Sequence, residues 1–283
     1  MSRIIVGYHN ACNDGFGAAY VAYLHYKKLG MLGQVEFVPI NPKSTPDVDV
    51  TDCDVVIFDT CLDKEALHKW NEVAHSFKVI DHHISNQREF GHLDYCHFDM
   101  THSGVGLAWR HYNPDIAPPW WVNYIEDRDL WTKKLYRNED VCALLLSTEP
   151  SFEAYDDVTG MSLLDAMNIG AFIAKADAAK IQRAVEGSST TMRVSFCGFD
   201  NIPCINNANF QSDIGNILAK DAEFGIVWYA GESERDGKYA QLSLRSIGSF
   251  DVSKLAAKYG GGGHAAASGC RVSLREWMRI LLS

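Results

Sequence analysis

Phe77-Lys78-Val79-Ile80-Asp81-His82-His83 is the stretch of sequence that decides the fold. The apolar residues near its start predict a buried strand, and the strand runs straight into one carboxylate and two imidazoles. Open α/β sheets bind their ligands in the crevice outside the carboxyl ends of their strands. The stretch therefore predicts a strand of an α/β sheet with a functional site at its end.

Two other short apolar runs end in the same residue types. Residues 4–8 run into His9, with Asp14 shortly after, and residues 55–58 run into Asp59. An Asp after a strand is commonly a turn former or a helix cap, and a lone His usually has a hydrogen-bonded structural role. Because the ends of parallel strands meet at one edge of a sheet, the whole set indicates a metal site instead. The candidate ligands are His9, Asp14, Asp59, Asp81 and His82. Asp and His donors without a thiolate suit Mn²⁺ or Mg²⁺ better than a structural zinc ion.

A glycine run lies late in the chain, in Gly260-Gly261-Gly262-Gly263-His264. Glycines let successive backbone N–H groups approach an anion, because no Cβ blocks the way. The alternative is a flexible linker. A predicted helix over 251–259 and the small residues 265–269, which look like a close-packed helix start, favour the anion site. Arg245 is a second candidate contact for a phosphate or a guanine edge, with a solvent-exposed salt bridge as the alternative.

Short strands that end in Asp or His, with the last ending in Asp81-His82-His83, resemble those of the DHH phosphoesterases of the nano-RNase and RecJ type. The late glycine-rich segment makes the resemblance specific, and it covers nearly the whole chain. It implies two metal ions bridged by Asp59, with Asp81 and His82 as ligands and His83 facing the substrate phosphate. The residues implied in catalysis are His83, Asp59 and Asp81. The residues implied in substrate binding are His83, Arg245, Gly261, Gly262, Gly263, His264 and Ser103.

A further family motif lies in Glu126-Asp127-Arg128-Asp129-Leu130-Trp131. A helix would point the two Asp side chains in different directions, because they are two residues apart. Asp129 resembles the first residue of the family's Asp-x-Trp pattern, but Asp127 stays an alternative. One of the two is expected to be a metal ligand, and the other to pair with Arg128 or another base.

Position 11 departs from the family pattern. Close relatives read His-x-Asp-x-x-Asp-Gly through this loop, so Ala11 stands where a ligand of the first metal is expected. Cys12 is a poor substitute for a hard oxygen ligand. The hypothesis is that Ala11 disables the site and lowers the rate more than substrate binding. The sequence leaves open whether Ala11 is natural or engineered.

The order of strands and helices predicts an α/β protein of two domains. Residues 1–150 are predicted to form an N-terminal metal-binding DHH catalytic domain with a mostly parallel sheet flanked by helices. Residues 151–189 form a helical linker, and residues 190–283 form a smaller substrate-binding domain with a mixed sheet. The long helix of the linker begins near Ser162, where Asp165 completes a capping-box pattern. Its apolar stripe is expected to pack on its own domain or to form a dimer, so a monomer and a homodimer both stay open.

The charge of the chain limits its partners. The net charge is −10, and residues 190–283 hold 10 Lys and Arg against 9 Asp and Glu, so the remainder carries −11. Long nucleic acids are bound through many Lys and Arg contacts to phosphates, so a long strand is not an expected partner. An acidic half that acts on a phosphate needs bound cations.

The chain shows no membrane or export signal in its pattern. Its apolar runs stay well below the roughly 20 residues of a membrane span, and its start has no signal-peptide character. Its eight cysteines are scattered without a CxxC pair, which favours reduced thiols. A cytoplasmic protein without a membrane partner is expected.

These features together predict a phosphodiesterase that cuts short linear oligonucleotides to 5′-mononucleotides by two-metal activation of water. Dinucleotides such as pGpG or pApA are the preferred substrates, and two Mn²⁺ ions the expected cofactor, with Mg²⁺ as the alternative ion. Three other functions stay open. They are a phosphatase for 3′-phosphoadenosine 5′-phosphate, a polyphosphate hydrolase, for which the second domain is not basic enough, and a nucleotide-binding sensor that has lost catalysis.

Overall fold

Five strands form the sheet of the N-terminal half. They are β1 (Ile4–His9), β2 (Val35–Ile40), β3 (Asp54–Phe58), β4 (Ser76–Asp81) and β5 (Cys96–Phe98). All pair in parallel, in the order β2-β1-β3-β4-β5. Tyr8 lies opposite Phe58, and Phe58 lies opposite Ile80. The three central strands therefore end nearly level, and the residues that follow these positions come to one edge of the sheet.

The computed structural model describes residues 3–42, 44–187, 191–233 and 237–282. It divides into two units, Met1–Lys175 and Ala176–Ser283. The protein is thus α/β, with one parallel and one mixed sheet, as the sequence predicts. The finer domain limits at residues 150 and 190 stay a prediction.

Side chains of the central strands alternate between two apolar clusters, one on each face of the sheet. Ile4 and Val6 join one cluster, and Ile5 joins the other. Helices cover both faces, as an apolar parallel sheet requires. The helices of this half are α1 (Asn13–Leu29), α2 (Lys64–Val73), α3 (Ile84–Phe90), α4 (Gly104–Tyr112), α5 (Trp120–Asp129), α6 (Asn138–Ser147) and α7 (Phe152–Thr159). Helices α2 and α3 cover the face of Ile5, and the other helices cover the opposite face.

The long helix α8 (Leu163–Glu186) contains the division between the two units. Its start confirms the predicted capping box, because the Asp165 N–H donates to Ser162 Oγ at 3.1 Å and the Ser162 hydroxyl donates to Asp165 Oδ2 at 2.6 Å. Helix α6 is absent from the sequence prediction, and α7 is a separate helix within residues 151–189, which the sequence predicts only as a helical linker with a long helix from Ser162. Within the described residues, none of the helices is both long enough and apolar enough to cross a membrane.

The second unit contains a sheet of six strands. They are β6 (Thr191–Phe196), β7 (Phe199–Asn206), β8 (Gly225–Ser233), β9 (Gly237–Arg245), β10 (Gly262–Gly263) and β11 (Ala267–Ser273). Their order is β10-β11-β9-β8-β7-β6, with one parallel pair, β7 and β8. The helices are α9 (Gln211–Leu218), α10 (Ser253–Ala257) and α11 (Leu274–Leu282). Trp277 of α11 is fully buried in the core of this unit.

The expected helix start over residues 265–269 is wrong. The His264 N–H donates to the Ala267 carbonyl at 2.8 Å and closes a turn between β10 and β11. From Ala267 onward the chain pairs antiparallel with β9, where Cys270 lies opposite Leu242. Pairing within the sheet therefore overrides the helical preference of the alanines.

A glycine in α8 provides a stability test of the first unit. A Cβ on Gly170 would lie 1.9 Å from the Asp140 carbonyl oxygen, whereas a Cβ on Gly33 would meet nothing within 4 Å. Gly170→Ala should therefore lower the free energy of unfolding by about 2 kcal/mol, because the overlap outweighs the better helix propensity of alanine. Gly33→Ala is the matched control, with an expected change below about 0.5 kcal/mol. Urea unfolding measures both, and a Gly170→Ala protein at least as stable as the parent would contradict this packing.

Candidate metal centre

A single imidazole nitrogen lies among three carboxylates at the edge of the parallel sheet. His82 Nε2 is 3.0 Å from Asp59 Oδ1, 3.5 Å from Asp14 Oδ2 and 3.5 Å from Asp129 Oδ2. Asp59 follows β3 directly and His82 follows β4, which explains why the sheet brings these two together. Asp14 lies in the first turn of α1 and Asp129 ends α5. The structure thus brings together residues that are far apart in the sequence.

Asp59 is the residue that connects two groups of donors. Its Oδ1 faces His82, while its Oδ2 lies 3.3 Å from His9 Nδ1. Its backbone has φ 63°, a left-handed conformation that is costly for a residue with a side chain. Such strain is concentrated at functional sites, where the surrounding fold enforces it. This position fits the bridging role that the family resemblance implies.

The start of α4 fixes the carboxylate of Asp14. The backbone N–H groups of Gly104 and Val105 both donate to it, Val105 at 2.9 Å. A Cβ on Gly104 would lie 2.4 Å from Asp59 Cβ and 2.8 Å from Asp14 Oδ2. Glycine is therefore required at position 104 for the two carboxylates to approach the helix this closely.

Asp81 holds the imidazole of His83 in place. Its Oδ1 accepts hydrogen bonds from His83 Nδ1 and from the His82 backbone N–H, each at 2.7 Å. Its Oδ2 accepts from Asn86 Nδ2, also at 2.7 Å. Both oxygens of Asp81 thus accept hydrogen bonds from neighbouring residues, and one of these bonds fixes the orientation of the His83 ring. The expected role of Asp81 as a metal ligand stays a prediction.

The structure separates Asp127 from Asp129. Asp127 lies in a buried loop network, where its carboxylate accepts from the Thr132 hydroxyl, the N–H groups of Lys134 and Leu135 and the Asn138 amide. Burial alone would raise the pKa of Asp127, but these hydrogen bonds outweigh burial and lower it. Asp129 instead faces the cluster around His82. Asp127 therefore stabilises the loop after α5. Its hydrogen-bond partners are hydroxyl and amide groups, whereas the sequence analysis expects Arg128 or another base for the Asp that is not a ligand.

Ser103 caps a helix in the structure. It is the N-cap of α4, its hydroxyl accepts from the Gly106 N–H at 3.4 Å, and its own N–H donates to Glu126 Oε2 at 3.0 Å. Its side chain is fully buried. The predicted contact with substrate is untested, and the cap explains the residue by itself.

The loop between His9 and Asp14 places Cys12 nearer to the cluster than Ala11. Ala11 is exposed, with φ 52°. Cys12 Sγ, one ligand atom of His9 and one of Asp59 all lie within 4.8 Å of one another. Sequence reasoning considered Cys12 only as a poor substitute. The signal that it missed is the position of this thiol directly before helix α1, in the same short turn as His9 and Asp14.

The predicted phosphate contacts of the second unit have partners inside that unit. Arg245 ends β9, and its guanidinium donates to Ser212 Oγ and to the Leu244 carbonyl, both at 2.9 Å. The N–H groups of Gly260 and Gly261 donate to carbonyls of the preceding helix, at 3.1 and 3.0 Å. Together with the bonded N–H of His264, they do not form the expected row of exposed donors. The substrate contacts of Gly261, Gly262, Gly263, His264 and Arg245 stay predictions.

The carboxylates of the cluster are electrostatically crowded. Burial, reinforced by the charges of Asp59 and Asp129, raises the pKa of Asp14 well above its usual range. Burial disfavours a charged His82, but the hydrogen bond and charge of Asp59, with the charges of Asp129 and Asp14, outweigh it and raise the pKa of His82 to about 10. The surrounding carboxylates thus favour positive charge at His82, which a proton supplies without metal and a bound cation could supply instead.

The donor set fits divalent cations. His9 Nδ1, Asp59 Oδ2 and Asp129 Oδ2 are buried atoms that complete no hydrogen bond within the described residues. Two groups of donors surround them, one of His9, Cys12 and Asp59 and one of Asp14, His82 and Asp129. Carboxylates and imidazoles that converge in this way can hold Mg²⁺, Mn²⁺ or a related ion and bring it against a phosphate.

Comparisons with known proteins show which proteins this chain resembles. Residues 208–281 match the DHHA1 domain. The oligoribonuclease NrnB of Bacillus subtilis is 26% identical over 92% of this chain and 71% of its own length. The uncharacterised protein R106 of Acanthamoeba polyphaga mimivirus is 27% identical over 95% of this chain and 67% of its own.

The chain is thus similar in sequence to an oligoribonuclease over most of its length, and its C-terminal part matches the DHHA1 domain.

Two solved structures share the fold of this chain over nearly its whole length. An exopolyphosphatase-related protein from Bacteroides fragilis superposes with a TM-score of 0.57 at 16% identity, over 99% of this chain and 90% of that one. The pGpG-specific phosphodiesterase PggH from Vibrio cholerae gives a TM-score of 0.52 at 17% identity, over 99% and 96%.

The different surroundings of Asp127 and Asp129 lead to opposite expected effects of substitution. Asp127→Ala should lower the free energy of unfolding by about 3 kcal/mol, because it leaves buried N–H and amide groups without an acceptor. Asp129→Ala should leave the metal-free protein within about 1 kcal/mol of the parent, since it removes a crowded carboxylate. It should abolish the stabilisation by Mn²⁺ that a metal ligand provides.

Urea unfolding with and without Mn²⁺ measures both effects, with the parent chain as the control. The assignment of Asp129 as the ligand and Asp127 as the structural residue would be wrong on the opposite result. In that case Asp127→Ala would keep the metal-free stability of the parent but lose the stabilisation by Mn²⁺, and Asp129→Ala would keep that stabilisation.

Proposed function

We propose that this protein is a member of the DHH family and a metal-dependent phosphodiesterase that hydrolyses short linear oligonucleotides, preferably dinucleotides such as pGpG, to 5′-mononucleotides. The observation that carries the proposal is the convergence of Asp14, Asp59 and Asp129 on His82 Nε2 at the edge of the sheet. Two similar proteins support the substrate class, one named an oligoribonuclease and one a pGpG-specific phosphodiesterase. Its cytoplasmic location and its monomeric or dimeric state stay predictions.

We propose that the two cations are Mn²⁺, with Mg²⁺ as the alternative. One would be held by the donor group that contains Asp59, and the other by the neighbouring group of Asp14, His82 and Asp129. When bound, they supply a more acidic water and neutralise negative charge on the phosphodiester. The residues proposed to hold them are His9, Asp14, Asp59, His82 and Asp129.

Side chains of the protein are proposed to position the metal ligands and the substrate phosphate. Helix α4 fixes Asp14 through two N–H groups, so this carboxylate needs little rearrangement on binding. Asp81 keeps a hydrogen on His83 Nδ1 and sets the direction of the ring. We propose that His83, whose side chain is 17% exposed, donates to a phosphate oxygen of the substrate.

The substrate is proposed to be short because the chain lacks the charge that long strands require. Its net charge is −10, whereas proteins that track long nucleic acids neutralise many phosphates with Lys and Arg. Arg245 in the second unit is proposed to contribute one phosphate or base contact, alongside its bond to Ser212. A single such contact fits a dinucleotide better than an extended strand.

A comparison of substrate lengths tests the proposal. We expect Mn²⁺-dependent hydrolysis of pGpG, with GMP as the product, at a kcat/KM at least about tenfold above that for single strands longer than about ten nucleotides. Equal or faster cleavage of the long strands would refute the length preference. Asp59→Asn is the control that should lose turnover on every substrate.

The products distinguish the proposal from its alternatives. Inorganic phosphate released from 3′-phosphoadenosine 5′-phosphate, without cleavage of pGpG, would indicate a phosphatase. Tight binding of pGpG without turnover would indicate a nucleotide sensor.

The hypothesis of an inactivating Ala11 makes a separate prediction. If the missing carboxylate at position 11 limits turnover, Ala11→Asp should raise the Mn²⁺-dependent rate at least about tenfold with little change in substrate affinity. Steady-state hydrolysis of pGpG measures this effect, with Ala11→Asn as a control of similar size and without charge. A rate no higher than that of the parent would reject the hypothesis.

A further inference from the structure

Cys12 differs from the other cysteines in its surroundings. Within the described residues, the other seven belong to the hydrophobic clusters of the two units, as buried or partly buried members. Cys12 belongs to none of these clusters. Ordinary packing explains the seven, and it does not explain Cys12.

The backbone turns the thiol toward the carboxylates. Ala11 has φ 52°, and Cys12 returns to an extended conformation with φ −126° and ψ 134° as the N-cap of α1. N-cap side chains usually accept a hydrogen bond from the first turn of the helix. Cys12 makes no capping bond of standard geometry, and its thiol has only a weak interaction with the Gly15 N–H.

Three different donor types meet at this point. Cys12 Sγ, a His9 nitrogen and an Asp59 oxygen lie within 4.8 Å of one another. His9 Nδ1 and Asp59 Oδ2 are 3.3 Å apart, an ion-pair contact that lacks full hydrogen-bond geometry. Asp59 is 1% exposed, and a carboxylate oxygen buried this deeply needs a donor or a cation. A protonated His9 can supply the donor, and a bound metal ion can supply the cation.

We propose that Cys12 is a metal ligand, which together with His9 and Asp59 forms a sulfur-containing site for a borderline-soft divalent ion such as Zn²⁺, Co²⁺ or Fe²⁺. The other group, Asp14, His82 and Asp129, offers only oxygen and nitrogen donors, which suit Mn²⁺ or Mg²⁺. Thiolates select softer ions than carboxylates do. The proposal rests on the proposed metal-dependent function and refines it, because the two ions would then differ in kind.

Three protein ligands are also the number that catalytic zinc sites use, with a further position left for water or substrate. A bound cation favours the thiolate over the thiol. The proposal therefore replaces the view that this loop lacks a ligand: the donor comes from position 12, and Ala11 is the exposed residue that turns the chain.

The test uses cobalt as a spectroscopic probe. The full-length protein is stripped of metal with a chelator and titrated with Co²⁺, and absorbance and binding heat are recorded together. A thiolate ligand gives a near-ultraviolet charge-transfer band that oxygen and nitrogen ligands do not give. We expect this band in the parent protein, its loss in Cys12→Ser, and its retention in Cys197→Ser. Cys197 is the matched control, because it is the other half-buried cysteine and lies in the second unit.

A second variant keeps the test valid if Cys12→Ser folds poorly. Cys12→Asp should bind Co²⁺ without the band and should bind Mn²⁺ about tenfold more tightly than the parent, because a hard ligand replaces a soft one. Parent protein that binds Co²⁺ and hydrolyses pGpG but shows no band would overturn the Cys12 assignment alone. Absence of any divalent-ion binding would overturn the proposed function as well.

The Cys12 assignment and the inactivating Ala11 hypothesis are alternatives. If Cys12 already fills the ligand position, Ala11→Asp should change the Mn²⁺-dependent rate less than twofold. A gain of about tenfold in Ala11→Asp, together with an unchanged cobalt spectrum in Cys12→Ser, would contradict the assignment.

Discussion

The crowding of carboxylates around the buried His82 is the interaction on which the rest of the first unit depends. Asp14, Asp59 and Asp129 repel one another at short range, and a fold that assembles them without cations must hold them against that repulsion. The imidazolium of His82 offsets part of it, as its raised pKa of about 10 reflects. A bound cation would take the place of that proton, because a metal-ligating imidazole is neutral. The site thus lowers the stability of the metal-free protein in return for a preorganised binding site.

The sheet makes this crowding achievable. In-register pairing of β1, β3 and β4 brings their ends to one edge, and apolar clusters on both faces keep that edge rigid. Local backbone features then bring the carboxylates closer. Gly104 leaves room for Asp59 and Asp14 beside the start of α4, and Asp59 itself adopts a left-handed conformation. Catalytic groups on rigid elements with strained local backbone are the arrangement expected of a preorganised site.

The sequence was sufficient to predict the parallel sheet and most of the residues in the cluster. The reason is that these Asp and His residues directly follow strands, and the apolar pattern of the sequence locates the strands. It could not separate Asp127 from Asp129, since the loop that surrounds Asp127 depends on left-handed Trp131 and Lys133, for which no local signal exists. Helix α6 was missed for a similar reason: it starts after left-handed Arg137 and lacks a side-chain cap. The predicted helix start at 265–269 was wrong because the chain there pairs with the distant strand β9, and this pairing outweighs the helix propensity of the alanines. The sequence draws attention to the soft sulfur of Cys12, but it does not show that the turn before α1 brings this sulfur beside His9 and Asp59.

The central claim is that Asp59 stands between two cation sites at the edge of the parallel sheet. Anomalous diffraction from crystals soaked in Co²⁺, an ion that sulfur, nitrogen and oxygen ligands all bind, tests it most directly, because it locates ions without reference to activity. The account predicts two anomalous peaks, one beside His9 and Asp59 and one beside Asp14, His82 and Asp129. Crystals with no peak against Asp59, or with Co²⁺ bound only at a distant surface, would contradict it.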